Sequence, residues 1–227
     1  MKKFEGGLFI VIEGGEGAGK TTVAKALEQI YRDKGYLVKY TREPGGIKEA
    51  EQIRDIIVNN DLDSVTQMML FAAARKLNTD RIITPALEEG YIVICDRYML
   101  SSLVYQSKLG AGTVEPVDVM KIQSIVARKP DYQIILDVNP EIGLKRVFEG
   151  DREVNALDTM GLEFHNKVNR AYRCYCNDKA NHIRTAHSSY TIDVNNLNAE
   201  DVVNYCKLLI DKYIRLYRIQ DIKEIDT

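Results

Sequence analysis

Short unbroken apolar runs alternate along the chain with longer segments in which apolar residues recur every three or four positions. The runs are 8–12 (LFIVI), 36–40 (YLVKY), 91–95 (YIVIC), 132–138 (YQIILDV) and 190–194 (YTIDV). Continuous β-branched runs of this length suit strands covered on both faces. Helical spacing occupies 20–33, 66–89, 115–128 and 198–216. Gly35 and Gly90 stand just past two of these segments and Asn198 opens the last one, where helices stop and start. Strand alternating with helix predicts an α/β fold of three layers, a five-stranded parallel sheet flanked by helices. The polar, aperiodic stretch 149–158 (EGDREVNALD) is the expected mobile segment. The last dozen residues, LYRIQDIKEIDT, either extend the final helix or fray.

Composition narrows the function classes. A chain of 227 residues with 45% hydrophobic and 28% charged residues suits a single domain spanning 1–227. Thirty-one basic against thirty-three acidic residues give a net charge of -2, which provides no general field for nucleic acid or an anionic membrane. Any anion must therefore meet a local cluster. The apolar run after Lys2 and Lys3 is cut short by Glu13 and glycines, too early for a signal sequence or a membrane span, so a cytoplasmic protein is expected. Cys95, Cys174, Cys176 and Cys206 are too uneven for a disulfide framework and read as free thiols. Cys174 and Cys176 with His182 and His187 match no zinc spacing.

Directly after the first apolar run comes EGGEGAGKTT. Gly14 and Gly19-Lys20-Thr21 fit the phosphate-loop pattern, and the placement after a strand and before a helix is the one that motif needs. Glycines let successive N–H groups turn inward, the helix start adds positive character, Lys20 reaches outer phosphates and Thr21 can ligate Mg²⁺. Glu16 is unexpected there, because a carboxylate among inward N–H groups repels a polyanion. A guanine-reading Asn-Lys-x-Asp is absent, since Asn166-Lys167 continues to Val168-Asn169, and this weakens a GTPase switch reading.

Three further stretches accompany the loop: TREPGG (41–46), MLFAAARKLN (69–78) and DRYMLSSLVYQ (96–106). Two sit after predicted strands, at the sheet edge where ligands bind in such folds, and each brings an arginine. With these motifs the chain resembles the thymidylate kinase family, most closely its bacterial type, among the P-loop nucleoside monophosphate kinases. The likeness runs from FIVIEGGEGAGKTT to the final strand and helix.

The resemblance implies a P-loop NTPase fold with a short lid at about 148–160, ATP as phosphoryl donor, Mg²⁺ as cofactor, dTMP as acceptor and a homodimer, with dTDP as product. It assigns ATP to Gly14, Gly15, Glu16, Gly17, Ala18, Gly19, Lys20, Thr21, Thr22 and Arg146, and Mg²⁺ to Thr21 and Asp96, partly through water. It assigns dTMP to Glu16, Arg42, Glu43, Pro44, Arg54, Phe71, Arg75, Arg97, Ser101, Ser102, Tyr105 and Gln106. Lys20, Arg97, Asp96 and the lid's Arg152 carry catalysis in this reading. Phe71 corresponds to the ring that stacks on thymine and Arg75, four residues on, to the arginine on its carbonyl; helical spacing alone equally allows Phe71 to be core. Glu16 would turn away from the donor and accept from the acceptor sugar's 3′ hydroxyl, against the plain alternative of a solvated acid on the rim. Any role of the tail 217–227 is open.

Overall fold

The structure is a computed structural model that describes residues 1–150, 154–177 and 189–225. In chain order the elements are β1 (Lys2–Phe4), β2 (Leu8–Gly14), α1 (Lys20–Asp33), β3 (Val38–Arg42), α2 (Lys48–Asn59), α3 (Ser64–Asn78), α4 (Thr84–Glu88), β4 (Ile92–Asp96), α5 (Met99–Gln106), α6 (Pro116–Val126), β5 (Tyr132–Asp137), α7 (Pro140–Phe148), α8 (Leu162–Asn177), β6 (Ser189–Asp193), α9 (Ala199–Tyr213) and β7 (Ile222–Glu224).

Five strands form one parallel sheet in the order β3-β4-β2-β5-β6. All seven residues of β2 are buried, and the apolar run 8–12 that makes up most of it suits a strand between two covered faces. Its alternate side chains serve opposite layers. Leu8, Ile10 and Ile12 join Val23, Leu27, Cys206 and Ile210 under α1 and α9, whereas Phe9 and Val11 pack with Ile83, Leu87 and Tyr98 on the other face. A third apolar cluster, including Leu103, Val119 and Tyr172, lies between α3, α5, α6 and α8. From β2 the chain crosses to one side for β3 and β4 and then to the other for β5 and β6, so the carboxyl end of β2 is the switch point where such sheets bind ligands.

Several boundaries differ from the periodicity, for visible reasons. The strand predicted at 36–40 lies two residues later because Tyr36 is taken by β1: it bridges Lys2, and its ring stacks on Phe4 at 5.6 Å. The segment 66–89 is two helices joined by a wide turn, Thr79–Ile83. Pro85 has no N–H to continue the ladder, which explains the break. Helix α5 escapes the periodicity because most of its sides are buried, leaving no polar stripe to mark it; α2, α7 and α8 also lie outside the periodic segments. Gly35 and Gly90 do end helices, with φ of 83° and 93°, and Asn198 caps α9 through a bond from the Asp201 N–H.

The tail first prolongs the helix, in wider turns over Ile214–Arg218, and then leaves it for a strand at Ile222–Glu224. This strand, β7, pairs antiparallel with β1, setting Phe4 opposite Ile222. Arg218 secures this clasp, donating to Gly7 O at 2.7 Å and Glu5 O at 3.2 Å and lying over the Phe4 ring.

Candidate active site

The loop between β2 and α1 is shaped by close backbone contacts. Gly14, Gly17 and Gly19 have φ of 146°, 69° and 87°. A Cβ on Gly14 would sit 2.4 Å from Leu136 O and one on Gly17 1.9 Å from Gly143 O, so the loop can lie this close to β5 and α7 only as glycine. Gly19 is the N-cap of α1 and no side chain caps it, so the first N–H groups of that helix are left for another acceptor. Lys20 is buried and donates to Gly15 O at 2.6 Å. Burial, and next the charge of Arg97, lowers its pKa to about 8. The Thr21 hydroxyl donates to Asp96 Oδ2, while Asp96 Oδ1 is buried with no partner among the described residues. A hydroxyl and an under-satisfied carboxylate side by side are hard oxygen donors of the kind a small divalent cation takes.

Opposite the loop stands a cationic cluster. Arg97 follows β4 with φ of 68°, the left-handed region, where it is the one non-glycine residue among those described. Its guanidinium donates to Glu16 Oε1 at 2.5 Å and lies over the Tyr105 ring, whose hydroxyl donates to the same Glu16 oxygen at 3.0 Å. Burial opposes the Arg97 charge, but Glu16 above all outweighs it and holds its pKa well above the usual value. Glu16 is therefore no solvated acid on the rim, since its side chain is 10% exposed and held by Arg97 and Tyr105. Arg42 pairs with both oxygens of Glu51 at 2.9 and 3.0 Å. Arg54 is half-buried and has no hydrogen bond or ion pair among the described residues. Burial and then the nearness of Arg42 lower its pKa, with Arg97 acting the same way. Like charges assembled this way are costly unless an anion joins them.

Beside the cluster, Arg75 is fully buried and almost saturated. It donates to Glu43 Oε2 at 2.6 Å, Ser102 Oγ at 3.0 Å, Gln123 Oε1 at 2.5 Å and Tyr98 O at 2.8 Å. Glu43 precedes Pro44 through a cis peptide bond and is 5% exposed. Burial raises its pKa to about 7 against the pull of Arg75. Asn78 ties this pair to β3, accepting from Thr41 at 2.8 Å and donating to Glu43 at 3.4 Å. Phe71, one turn before Arg75, is half-buried and belongs to none of the three apolar clusters. Gln106 is buried and its amide lies 3.5 Å from Gln67 Oε1; Ser101 bonds to Glu13.

The family model described as thymidylate kinase matches residues 12–197, a span that takes in the loop, the cationic cluster and the Phe71 helix together. The chain belongs to the thymidylate kinase family. The thymidylate kinase of Shouchella clausii (strain KSM-K16) is 45% identical over 177 residues, covering 76% of this chain and 82% of that protein. That of Clostridium novyi (strain NT) is 39% identical over 191 residues, covering 82% and 93%. Among solved structures, thymidylate kinase from Ehrlichia chaffeensis superposes with a TM-score of 0.69 at 25% identity, over 92% of this chain and 99% of its own. A five-stranded parallel sheet behind a phosphate loop is the P-loop NTPase fold, and the chain is a nucleoside monophosphate kinase.

Within this thymidylate kinase frame the remaining candidates separate. Arg146 on α7 is exposed and donates to Val194 O and Asn195 O at 3.0 and 3.1 Å, beyond the end of β6. Arg152 lies outside the described residues. Of the expected lid, Asn155 to Asp158 forms a tight turn in which Asp158 accepts from the Asn155 N–H at 2.8 Å. His182 and His187 fall outside the described residues, Cys174 is a free exposed thiol, and Cys95 and Cys206 are free and buried. Among the described residues there is no group of three or more His, Cys, Asp or Glu able to hold a metal, and no helix is long and apolar enough to cross a membrane. Two buried groups escaped the motif reading. Gln123, in KIQSIV, carries no local signal; Glu13 does, as the sole charge in the otherwise apolar run of β2.

Proposed function

We propose that the chain transfers the γ-phosphoryl group of ATP to the phosphate of dTMP, giving dTDP and ADP, with Mg²⁺ as cofactor. The observation that carries this reading is the facing of two anion sites, a glycine loop with a buried lysine on one side and Arg42, Arg54 and Arg97 on the other. A hydroxyl acceptor would need a general base and no second cationic cluster. A phosphate monoester, with its second pKa near 6, is already mostly a dianion at neutral pH and needs alignment instead.

In this mechanism the loop N–H groups and Lys20 hold the outer phosphates of ATP, and the three arginines hold the dTMP phosphate in line. An acceptor oxygen forms the new bond to the γ phosphorus as the bond to the ADP oxygen breaks. Forked guanidinium donors suit an acceptor whose orientation matters. Thr21 and Asp96 would hold Mg²⁺, which supplies charge neutralisation on the donor phosphates; the unpartnered Asp96 Oδ1 supports that assignment. Glu16 receives the acceptor's 3′ hydroxyl on the α5 side, Phe71 takes the base face, and Arg75 with Ser102 and Gln106 faces its edge. Tyr105 crowds the sugar and favours deoxyribose. Pro44 and Ser101 complete the acceptor pocket, and Arg146 with Arg152 of the lid flanks the donor.

The reading extends to a single domain over 1–227, working in the cytoplasm as a homodimer and binding neither nucleic acid nor membrane. Exposed apolar side chains on α2, α3 and α6, among them Ile56, Met69, Val117 and Ile125, support self-association. A monomer mass by sedimentation would overturn the dimer. The activity is tested by ADP release with Mg-ATP and a panel of acceptors. Rapid turnover with dTMP and little with dCMP, AMP or thymidine is the expected result, and equal rates across monophosphates contradict the base assignment.

A further inference from the structure

Glu13 is a carboxylate with 0% exposure, one residue before the phosphate loop, and its partners all lie in the protein. Its Oε1 accepts the N–H groups of Tyr98 at 2.8 Å and Ser101 at 3.1 Å. Its Oε2 accepts the hydroxyls of Ser101 at 2.7 Å and Tyr172 at 2.9 Å. Tyr98 is the N-cap residue of α5, and no side chain of that segment caps the helix. A strand thus provides from across the site what an N-cap side chain provides locally, and its negative charge meets the positive end of the helix.

The residue just before this anchor is Arg97. Its left-handed backbone is disfavoured for a residue with a Cβ and persists only where the surroundings impose it. Two tethers from β2 hold it on the N–H side, while the Cys95 thiol of β4 donates to the Arg97 carbonyl at 3.1 Å. The Arg97 N–H donates to Ile12 O at 2.9 Å, and the next N–H, that of Tyr98, donates to Glu13. Consecutive residues of the strand that carries the loop therefore set the turn that brings the Arg97 guanidinium to Glu16.

We propose that Glu13 is a positioning residue that registers the acceptor side of the site to the donor loop, its carboxylate clamping the first turn of α5 and so holding Arg97 in the conformation that presents its guanidinium. This rests on the reading of Arg97 and α5 as acceptor-binding. The backbone of Glu13 is fixed independently by its pairing with Ile135 in β5, and the loop by its contacts to Leu136 and Gly143. Loss of the carboxylate should accordingly disturb one substrate and spare the other, which a general loss of stability would not do.

The experiment compares Glu13→Gln, Tyr172→Phe and the double variant by titration calorimetry, with dTMP in one series and a non-hydrolysable ATP analogue in the other. The amide of Glu13→Gln retains an oxygen for the two N–H groups and faces hydroxyls that can turn to accept, so the fold is kept while the charge is lost. Glu13→Gln should weaken dTMP binding about tenfold and leave the analogue within about twofold of the parent. Tyr172→Phe should act in the same direction but less, and the double variant should be no worse than Glu13→Gln, because both act through one carboxylate. Unchanged dTMP affinity, or equal loss of both ligands, overturns the proposal. Loss of the analogue alone overturns the assignment of α5 to the acceptor. Should Glu13→Gln yield no folded protein, Tyr172→Phe decides: dTMP affinity equal to the parent's overturns the proposal, and selective weakening sustains it.

Discussion

Replacing Arg75 with methionine should destabilise the fold by an amount that depends on pH. The Arg75 and Glu43 side chains are 1% and 3% exposed and meet at 2.6 Å. Removing one partner of such a pair costs about 3–5 kcal/mol while the other stays charged. Glu43 does not have to stay charged. Burial already raises its pKa to about 7, with Arg75 the main opposing influence, so without Arg75 it rises further. A carboxyl whose folded pKa lies above its unfolded value holds a proton that the unfolded chain releases. Its contribution is fully present below the unfolded pKa and is lost as pH rises towards the folded pKa, at about 1.4 kcal/mol per unit. In the parent that loss ends near pH 7, whereas in the variant it continues upward. The difference in stability between the two should therefore be smallest near pH 6 and grow by about 1 kcal/mol per unit above pH 7. Urea unfolding followed by circular dichroism at pH 6, 7, 8 and 9 measures it, with Glu43→Gln/Arg75→Met as control, which should recover part of the loss at pH 8 and show little pH dependence. A pH-independent difference, or a double variant no more stable than Arg75→Met at pH 8, refutes the reasoning.

Three other outcomes are expected. Because the Lys20 pKa is lowered to about 8, the empty loop is partly uncharged at pH 8.5 and triphosphate binding should recruit a proton, with affinity falling as pH rises through 8. Calorimetry of ATP at pH 8.5 in buffers of different ionisation enthalpy reads this directly, and zero uptake contradicts it. Phe71→Ala should weaken dTMP binding by about 1–3 kcal/mol with little change in Tm, since the ring sits outside the apolar clusters; a fall in Tm typical of core truncation with normal dTMP binding would return Phe71 to the core. Deleting residues 222–227 removes β7, uncovers Phe4 and should cost about 1–3 kcal/mol by thermal melting while turnover at 25 °C is retained. An unchanged Tm would mean that the clasp contributes nothing.

The sheet and the donor loop were legible in the sequence because their cause is local. A doubly covered strand must be apolar along most of its length, and a backbone that approaches Leu136 and Gly143 as closely as Gly14 and Gly17 do must lack side chains. The nearness of Arg42, Arg54 and Arg97 was expected only from a family likeness, since they come from different elements and nothing in their spacing brings them together. What remained hidden was the support beneath them. Gln123 looks like any helix glutamine until α6 packs on α3, and α5 is too evenly buried to show a period. The path of the tail was open because β7 is only three residues long and its partner, β1, lies at the far end of the sequence.

The left-handed backbone at Arg97 sets a conflict that no single natural residue resolves. Glycine or asparagine would relieve the conformation but carries no guanidinium, so a residue that binds the acceptor phosphate as proposed here must accept the strain. A directed-evolution campaign that selects variants on heat resistance alone will therefore drift this codon towards glycine or asparagine and, on the proposed role of Arg97, enrich robust proteins that no longer turn over. Libraries built for thermostability should leave position 97 fixed and seek their gains elsewhere, in the solvent-facing residues of α9.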